Sequence, residues 1–398
     1  MSVLVSAYRA TLGRGSKLIA VTGSFGKTTT TRAIAAVLGR PTALENVPNA
    51  NSRLHLQALR QMRGGPIGVV EIGIGRPNRM RHYARAIRPQ IAVVTSIGLE
   101  HEGFFPDGLD GIRNEKAELV RVLPRDGVAV LNRDDPRVMW MAQQTQANIV
   151  TFGRHEEADV VLLGIETEAT GSRLRLRVAG AEHEVRTALI GSISGMPVAA
   201  AVAAAHAAGI DVQAAARAVA RLPPTLRRLE PVRLPSGAVA LLDDTKGTPA
   251  TAVAAFDAAA DIACRRRLAV LGRIPKTTPE PTRPVYEALG VRAGQVFDRI
   301  FFIHLDDEPY ETYRRSAIDA GLDASRIARV RTVEEAARVL RDELRPGDVL
   351  LLKGHFTDHL SRVVMALQGL DVRCRLQSCK IRSSDWCNVC SFVLDDLA

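Results

Sequence analysis

At 398 residues the chain is longer than one hydrophobic core ordinarily organises, so two domains are expected. Hydrophobic residues make up 46% of it and charged residues 24%, the balance of a folded chain; no apolar stretch reaches membrane-spanning length and residues 1–17 carry no secretory leader, so a cytoplasmic protein that leaves the membrane alone is expected. The net charge of +10 suits anionic ligands, and because Lys and Arg are scattered with little aromatic interleaving, nucleic acid is disfavoured as a partner.

The first strong pattern is the apolar run Leu18-Ile19-Ala20-Val21, which turns through Thr22-Gly23-Ser24-Phe25-Gly26-Lys27-Thr28-Thr29-Thr30 into an alanine-rich helix predicted over 31–38. A buried strand, two glycines and Lys-Thr at the head of a helix form a phosphate cradle. Backbone N–H groups from Gly23 to Thr29 and the helix dipole face the anion, Lys27 adds a mobile cation, and the Thr28 hydroxyl can ligate Mg²⁺. The longer Walker pattern would place a further glycine at Val21, so this is a compact variant of that loop.

Downstream, Asn46-Val47-Pro48-Asn49-Ala50-Asn51 is a polar turn, either a substrate loop or a connection. Residues 68–73 read as a second strand ending on Glu71, and residues 91–98 as a third, followed by Glu100-His101-Glu102. Strand ends on one side of a parallel sheet converge at a ligand crevice, so Glu71 can reach a metal held by the phosphates and His101 a second cation, although a lone acid or a loop histidine is more often structural. Residues 111–122 have helical spacing; there Lys116, between Glu115 and Glu118, reads from pattern alone as part of a solvated salt-bridging face. A fourth strand over 127–132 is closed by Arg133-Asp134-Asp135-Pro136. This succession predicts an α/β, doubly wound, mostly parallel sheet.

Residues 158–189 change to short alternating segments that suit an antiparallel flap, and 191–208, nearly all small and apolar, read as a core helix begun near Pro197. Pro223-Pro224 breaks the chain, and a boundary is expected at 229–235, giving a larger domain over 1–230 and a smaller Rossmann-like α/β domain over 231–370. That second domain restarts the alternation: strands over 238–242, 268–271, 299–304 and 349–352, a turn Asp243-Asp244-Thr245-Lys246-Gly247-Thr248-Pro249, a helix over 250–260, and Lys353-Gly354-His355 after the last strand. Residues 371–398 read as an appended tail. In it Cys374, Cys379, Cys387 and Cys390, spaced Cys-x4-Cys-x7-Cys-x2-Cys, are candidates for a zinc knuckle with Trp386 and Phe392 as apolar support; the alternative is a docked tail with free thiols.

Taken together, these motifs resemble those of the Mur ligase family of ATP-dependent amide-forming ligases, whose relatives include the folylpolyglutamate, cyanophycin and poly-γ-glutamate synthetases. The resemblance runs from about Leu18 to Leu367 and is nearest to the MurF-type enzymes. It rests on Gly23 to Thr30, the strand ending at Glu71, Thr95-Ser96-Ile97-Gly98-Leu99-Glu100-His101 leading to Lys116, Val130 to Asp135, and Asp243-Asp244-Thr245-Lys246. By position it implies that Thr28 and Glu71 ligate one Mg²⁺, that His101 ligates a second, that Lys116 is carbamylated and serves as an oxygen donor, and that Arg228, Asp244 and Lys246 close over ATP. Where the family supplies His-Asn and a further Asn near adenine, this chain has Ser192-Ile193-Ser194-Gly195-Met196-Pro197, and Lys353-Gly354 lacks the Ser-Arg that often follows. About twenty residues precede the phosphate loop, so the separate UDP-sugar-binding domain of the cell-wall enzymes is expected to be missing and UDP-muramoyl-peptide not to be the substrate.

The expected activity is therefore a carboxylate–amine ligase acting through an acyl phosphate on a small-molecule, peptide or carrier-linked carboxylate and an amine. Lys27, His101, Lys116 and Lys246 are its expected catalytic residues. Two other classes share part of the pattern: a phosphate-loop kinase or NTPase that stops at phosphoryl transfer, and a non-catalytic partner subunit docking another protein through its Cys-rich tail.

Overall fold

A computed structural model of the chain describes residues 16–41, 58, 60, 61, 63, 65–98, 104–274, 283–376, 387 and 390. The polar turn at 46–51, His101 with its two flanking glutamates, Cys379, Trp386 and Phe392 lie outside the described residues. Backbone contacts divide the chain into two units, the first built from residues up to 165 with 173–188 and 193–223, the second from 166–172, 189–192 and 224 onward.

The first unit is organised by an eight-stranded sheet in the order β2-β1-β3-β4-β5-β6-β7-β8. Its strands are β1 (Lys17–Thr22), β2 (Ile67–Glu71), β3 (Ile91–Val94), β4 (Val128–Asn132), β5 (Asn148–Gly153), β6 (Val160–Glu168), β7 (Gly171–Val178) and β8 (Ala181–Thr187). Every pairing from β2 across to β6 is parallel. Strands covered on both faces should read as continuous apolar runs rather than alternating ones, and β1 does so: all of Leu18 to Thr22 is buried. One layer against the sheet is the helix Gly195–Ala207, which packs on β3, β4 and β5 and is buried from Val198 to Ala205, where alanine lets the backbone approach closely. The alternating stretch expected to form an antiparallel flap continues this sheet as β6, β7 and β8. The link from β7 to β8 is the two-residue turn Ala179-Gly180, with φ of 49° and 82°, the mirror-image hairpin geometry that matches strand twist.

In the second unit the sheet order is β13-β12-β11-β14-β10-β9. Its strands are β9 (Glu230–Arg233), β10 (Val239–Asp243), β11 (Arg267–Leu271), β12 (Arg299–Ile303), β13 (Ile327–Val330) and β14 (Val349–Lys353). All pairings are parallel except β9 with β10. Alternate residues feed two cores on opposite faces: Leu268, Val270, Phe301, Ile303, Leu350 and Leu352 on one, Ala269, Leu271, Ile300, Phe302, Val349 and Leu351 on the other. The stretch expected to be a boundary therefore contains an edge strand. Among the described residues no helix is long and apolar enough to cross a membrane.

Candidate active site

The phosphate loop joins β1 to the helix Lys27–Val37. Gly23 (φ 146°) and Gly26 (φ 81°) take backbone angles that a side chain resists, and a Cβ at Gly23 would lie 1.9 Å from Thr95 Oγ1. Gly26 is the N-cap and brings no capping side chain to the first turn of the helix, the end at which a helix favours an anion. The Lys27 ammonium donates to Ser24 O at 2.8 Å, folded onto the loop it would leave to meet a phosphate.

The Ser24 hydroxyl is the junction of the site. It donates to Gly98 O at 3.0 Å and accepts from Gly98 N at 2.8 Å and from Lys116 Nζ at 2.8 Å, which uses its one donor and both lone pairs. The phosphate loop, the segment after β3 and Lys116 are thereby tied together. Thr95 Oγ1 donates to Phe25 O at 2.5 Å, and Ser24 N donates to Ser96 O at 2.8 Å. Behind them, Asn132 Nδ2 donates to Thr95 O at 2.9 Å, while Asp135 Oδ2 accepts from Ile97 N at 2.8 Å. The Val130–Asp135 motif thus braces the segment that grips the loop. Glu71 closes β2 in register with Val21, and Thr22 Oγ1 donates to Ile72 O at 2.9 Å, so Glu71 lies at the same carboxyl end of the sheet from which the loop departs.

Lys116 does not lie on a solvated face. The helix Gly108–Arg121 turns it inward, 3% exposed, and Glu115 is buried beside it. The Glu115 carboxylate accepts from the N–H groups of Asn78, Arg79 and Met80 at 2.8, 2.7 and 2.7 Å, holding the start of the helix Met80–Ile87. Glu118 alone behaves as the sequence pattern suggests, bridging Arg81 and Arg121.

In the second unit the carboxyl ends of β10 and β14 carry a buried charge cluster. Asp244, 0% exposed, receives Arg227 Nε at 2.5 Å and Ser361 N at 3.3 Å. Burial pushes its carboxyl above the ordinary range despite Arg227. Sequence reading singled out Arg228 and passed over Arg227, yet Arg228 is exposed and Arg227, held at φ 55°, is the buried partner. Lys353 sits 3.5 Å from Asp243 Oδ1, and burial drives its ammonium pKa down against the opposing pull of Asp243. Lys246 is exposed on the intervening turn.

The zinc expectation finds no support in the described cysteines. Among the described residues no group of three or more His, Cys, Asp or Glu could hold a metal ion. Cys387 Sγ instead accepts from Arg362 Nε at 3.2 Å, with His359 Nδ1 at 3.4 Å, and Arg362 also donates to the carbonyls of Cys374 and Leu376. Arg362 thus lies against the Cys387 sulfur, and burial raises the pKa of that thiol.

Two mostly parallel sheets, the first with a phosphate loop at the end of β1, define a nucleotide-binding α/β protein. The family model described as the Mur ligase middle domain matches residues 21–205, and that for the glutamate ligase domain of the same family matches residues 227–356. The chain belongs to the Mur ligase family, ATP-dependent ligases that form amide bonds. It is 29% identical over 395 residues to the UDP-N-acetylmuramoyl-tripeptide–D-alanyl-D-alanine ligase of Mycobacterium tuberculosis, covering 93% of this chain and 77% of that one. Its fold is shared with MurF ligase from Thermotoga maritima solved with ADP (TM-score 0.75, 22% identity, 92% of this chain and 83% of that one). It is also shared with folylpolyglutamate synthase of Mycobacterium tuberculosis (TM-score 0.63, 20% identity, 93% and 96%).

Proposed function

We propose that this chain joins a carboxylate to an amine by way of an acyl phosphate, releasing ADP and phosphate. The observation that carries this reading is the Ser24 hydroxyl shared between the phosphate loop and buried Lys116, because a simple NTPase has no need of a lysine drawn from a distant helix onto the loop. The residues fit MgATP: an uncapped helix start and two glycines form the cradle, Thr28 lies in the first turn of the helix that follows β1, and Glu71 ends the neighbouring strand β2.

In this reading the loop N–H groups and Lys27 bind the β- and γ-phosphates and offset the charge that builds as the γ-phosphoryl group moves to the substrate carboxylate. The amine then attacks the acyl carbon, the tetrahedral intermediate expels phosphate, and the amide forms. Lys246 supplies a second cation for the transferring group, and Arg228 and Asp244 are assigned to the nucleotide. Mg²⁺, when bound through Thr28 and Glu71, with His101 and a carbamylated Lys116 at a second ion, withdraws charge from the phosphate oxygens. Carbamylation converts the Lys116 amine into an oxygen donor, the one form in which a lysine suits a hard cation.

The substrates are assigned by class: an amino acid, peptide or carrier-linked carboxylate and a primary amine. Mass spectrometry of ATP reactions with pooled carboxylates and amines, muramoyl peptides and pteroyl glutamates among them, tests the reading. An amide product whose yield follows both components supports it, and ADP release indifferent to amine contradicts it.

A further inference from the structure

Lys353 ends β14, flanked in register by Asp243 of β10 and Leu271 of β11, and it is 4% exposed. Its ammonium meets three acceptors: Lys246 O at 2.5 Å, Asp243 O at 3.4 Å and Asp243 Oδ1 at 3.5 Å. An ammonium has three donors, so each has an acceptor, and two of the three acceptors are backbone carbonyls of the turn that carries Lys246. That turn is fixed from other sides as well. Thr251 Oγ1, in the first turn of the helix Pro249–Ala260, donates to Lys246 O at 3.0 Å, and Thr245 Oγ1 donates to Arg227 O at 3.0 Å. The backbone of 243–246 is thus anchored from below while the Lys246 side chain is left exposed. Burying a cation is costly, and an apolar residue of similar volume would serve a core at least as well. What an ammonium adds here is geometry.

We propose that Lys353 is a positioning residue that sets the backbone of the 243–247 turn and so fixes where the Lys246 side chain leaves it. This rests on the ligase reading above for its consequence, though not for the contacts. The test compares wild type, Lys353→Met and Lys353→Arg with Phe301→Leu, a core substitution in the same sheet, using the acid and amine found by the pooled screen. Lys353→Met is expected to lower kcat about 100-fold with the KM for ATP within about threefold, the scale on which a misplaced catalytic group costs rate. Amide hydrogens of Thr245, Lys246 and Gly247 should exchange faster in that variant. Lys353→Arg should recover only part of the rate, since a planar fork cannot satisfy three acceptors placed around an ammonium. Phe301→Leu should lower Tm while keeping kcat. Should Lys353→Met fail to fold, the Arg variant carries the same comparison of kcat and exchange. Unchanged kcat with unchanged exchange in the turn overturns the proposal, as does a kcat loss in Phe301→Leu equal to that in Lys353→Met. If wild type itself yields no amide, the ligase reading fails, and the exchange measurement alone decides whether Lys353 holds the turn.

Discussion

Lys27 and Lys116 both reach Ser24, one at its carbonyl and one at its hydroxyl. Lys27 can swing away at little cost to the fold, so Lys27→Ala is expected to cut turnover by about a thousandfold while circular dichroism and Tm stay near wild type; near-normal ADP formation would remove it from the reaction. Asp348 shows a charge whose work is structural. Its fully buried carboxylate accepts from Arg265, Arg266 and Arg345 N at the amino end of β14. Burial alone would raise its pKa, but the Arg266 hydrogen bond, the Arg345 N–H and Arg265 outweigh burial and hold it below the usual carboxylate value. A carboxylate depressed in the folded state contributes stability that is complete above its unfolded pKa of about 3.9 and is lost as pH falls through the folded value. Asp348→Asn is therefore expected to cost about 2 kcal/mol at pH 7 and to flatten the stability curve below about pH 4, read by urea unfolding across that range. A variant as acid-sensitive as wild type would show that other groups set the acid limb.

Among the elements, the strand, loop and helix from Lys17 to Val37 were legible because every signal lies within one local stretch: an apolar run, two glycines and a lysine. The inward face of the helix Gly108–Arg121 was not, since Lys116 is buried by partners 92 residues away and its own neighbours advertise a solvated surface. Likewise Arg227 and Arg228 are equivalent as letters, and only the left-handed backbone at Arg227 turns that side chain inward. The boundary expected at 229–235 rested on the break at Pro223-Pro224, and β9 falls within that stretch; its Pro231 is tolerated because β9 lies at a sheet edge, with β10 as its one neighbour in the six-stranded order. The short helix Pro136–Met139 shows how an element serves the site: Asp135 caps it through Arg137 N and Val138 N with one oxygen and holds Ile97 N with the other. Asp135→Ala is expected to cost about 1 kcal/mol for the cap and to weaken nucleotide binding as well, because Ile97 precedes the Gly98 that grips Ser24. Equilibrium unfolding and titration with a fluorescent ATP analogue measure the two effects; lost stability with unaltered affinity would make the brace purely structural.

At the scale of the whole molecule, the two family domains cover residues 21–205 and 227–356, and each unit carries a group of polar residues at the carboxyl ends of a mostly parallel sheet. In the first those are the phosphate loop and Glu71; in the second, Asp243, Asp244 and Lys353. Family membership establishes ATP-dependent amide formation as the class, and the individual roles of Lys27, Lys116, Lys246 and Lys353 are the propositions still to be measured. The central one is that ATP activates a carboxylate. Supplying the acid found by the pooled screen with its carboxylate oxygens replaced by ¹⁸O, together with ATP and the amine, follows the activated oxygen directly. The account predicts one ¹⁸O in each phosphate released, in step with amide formed; phosphate carrying only oxygen from ATP or water would contradict it.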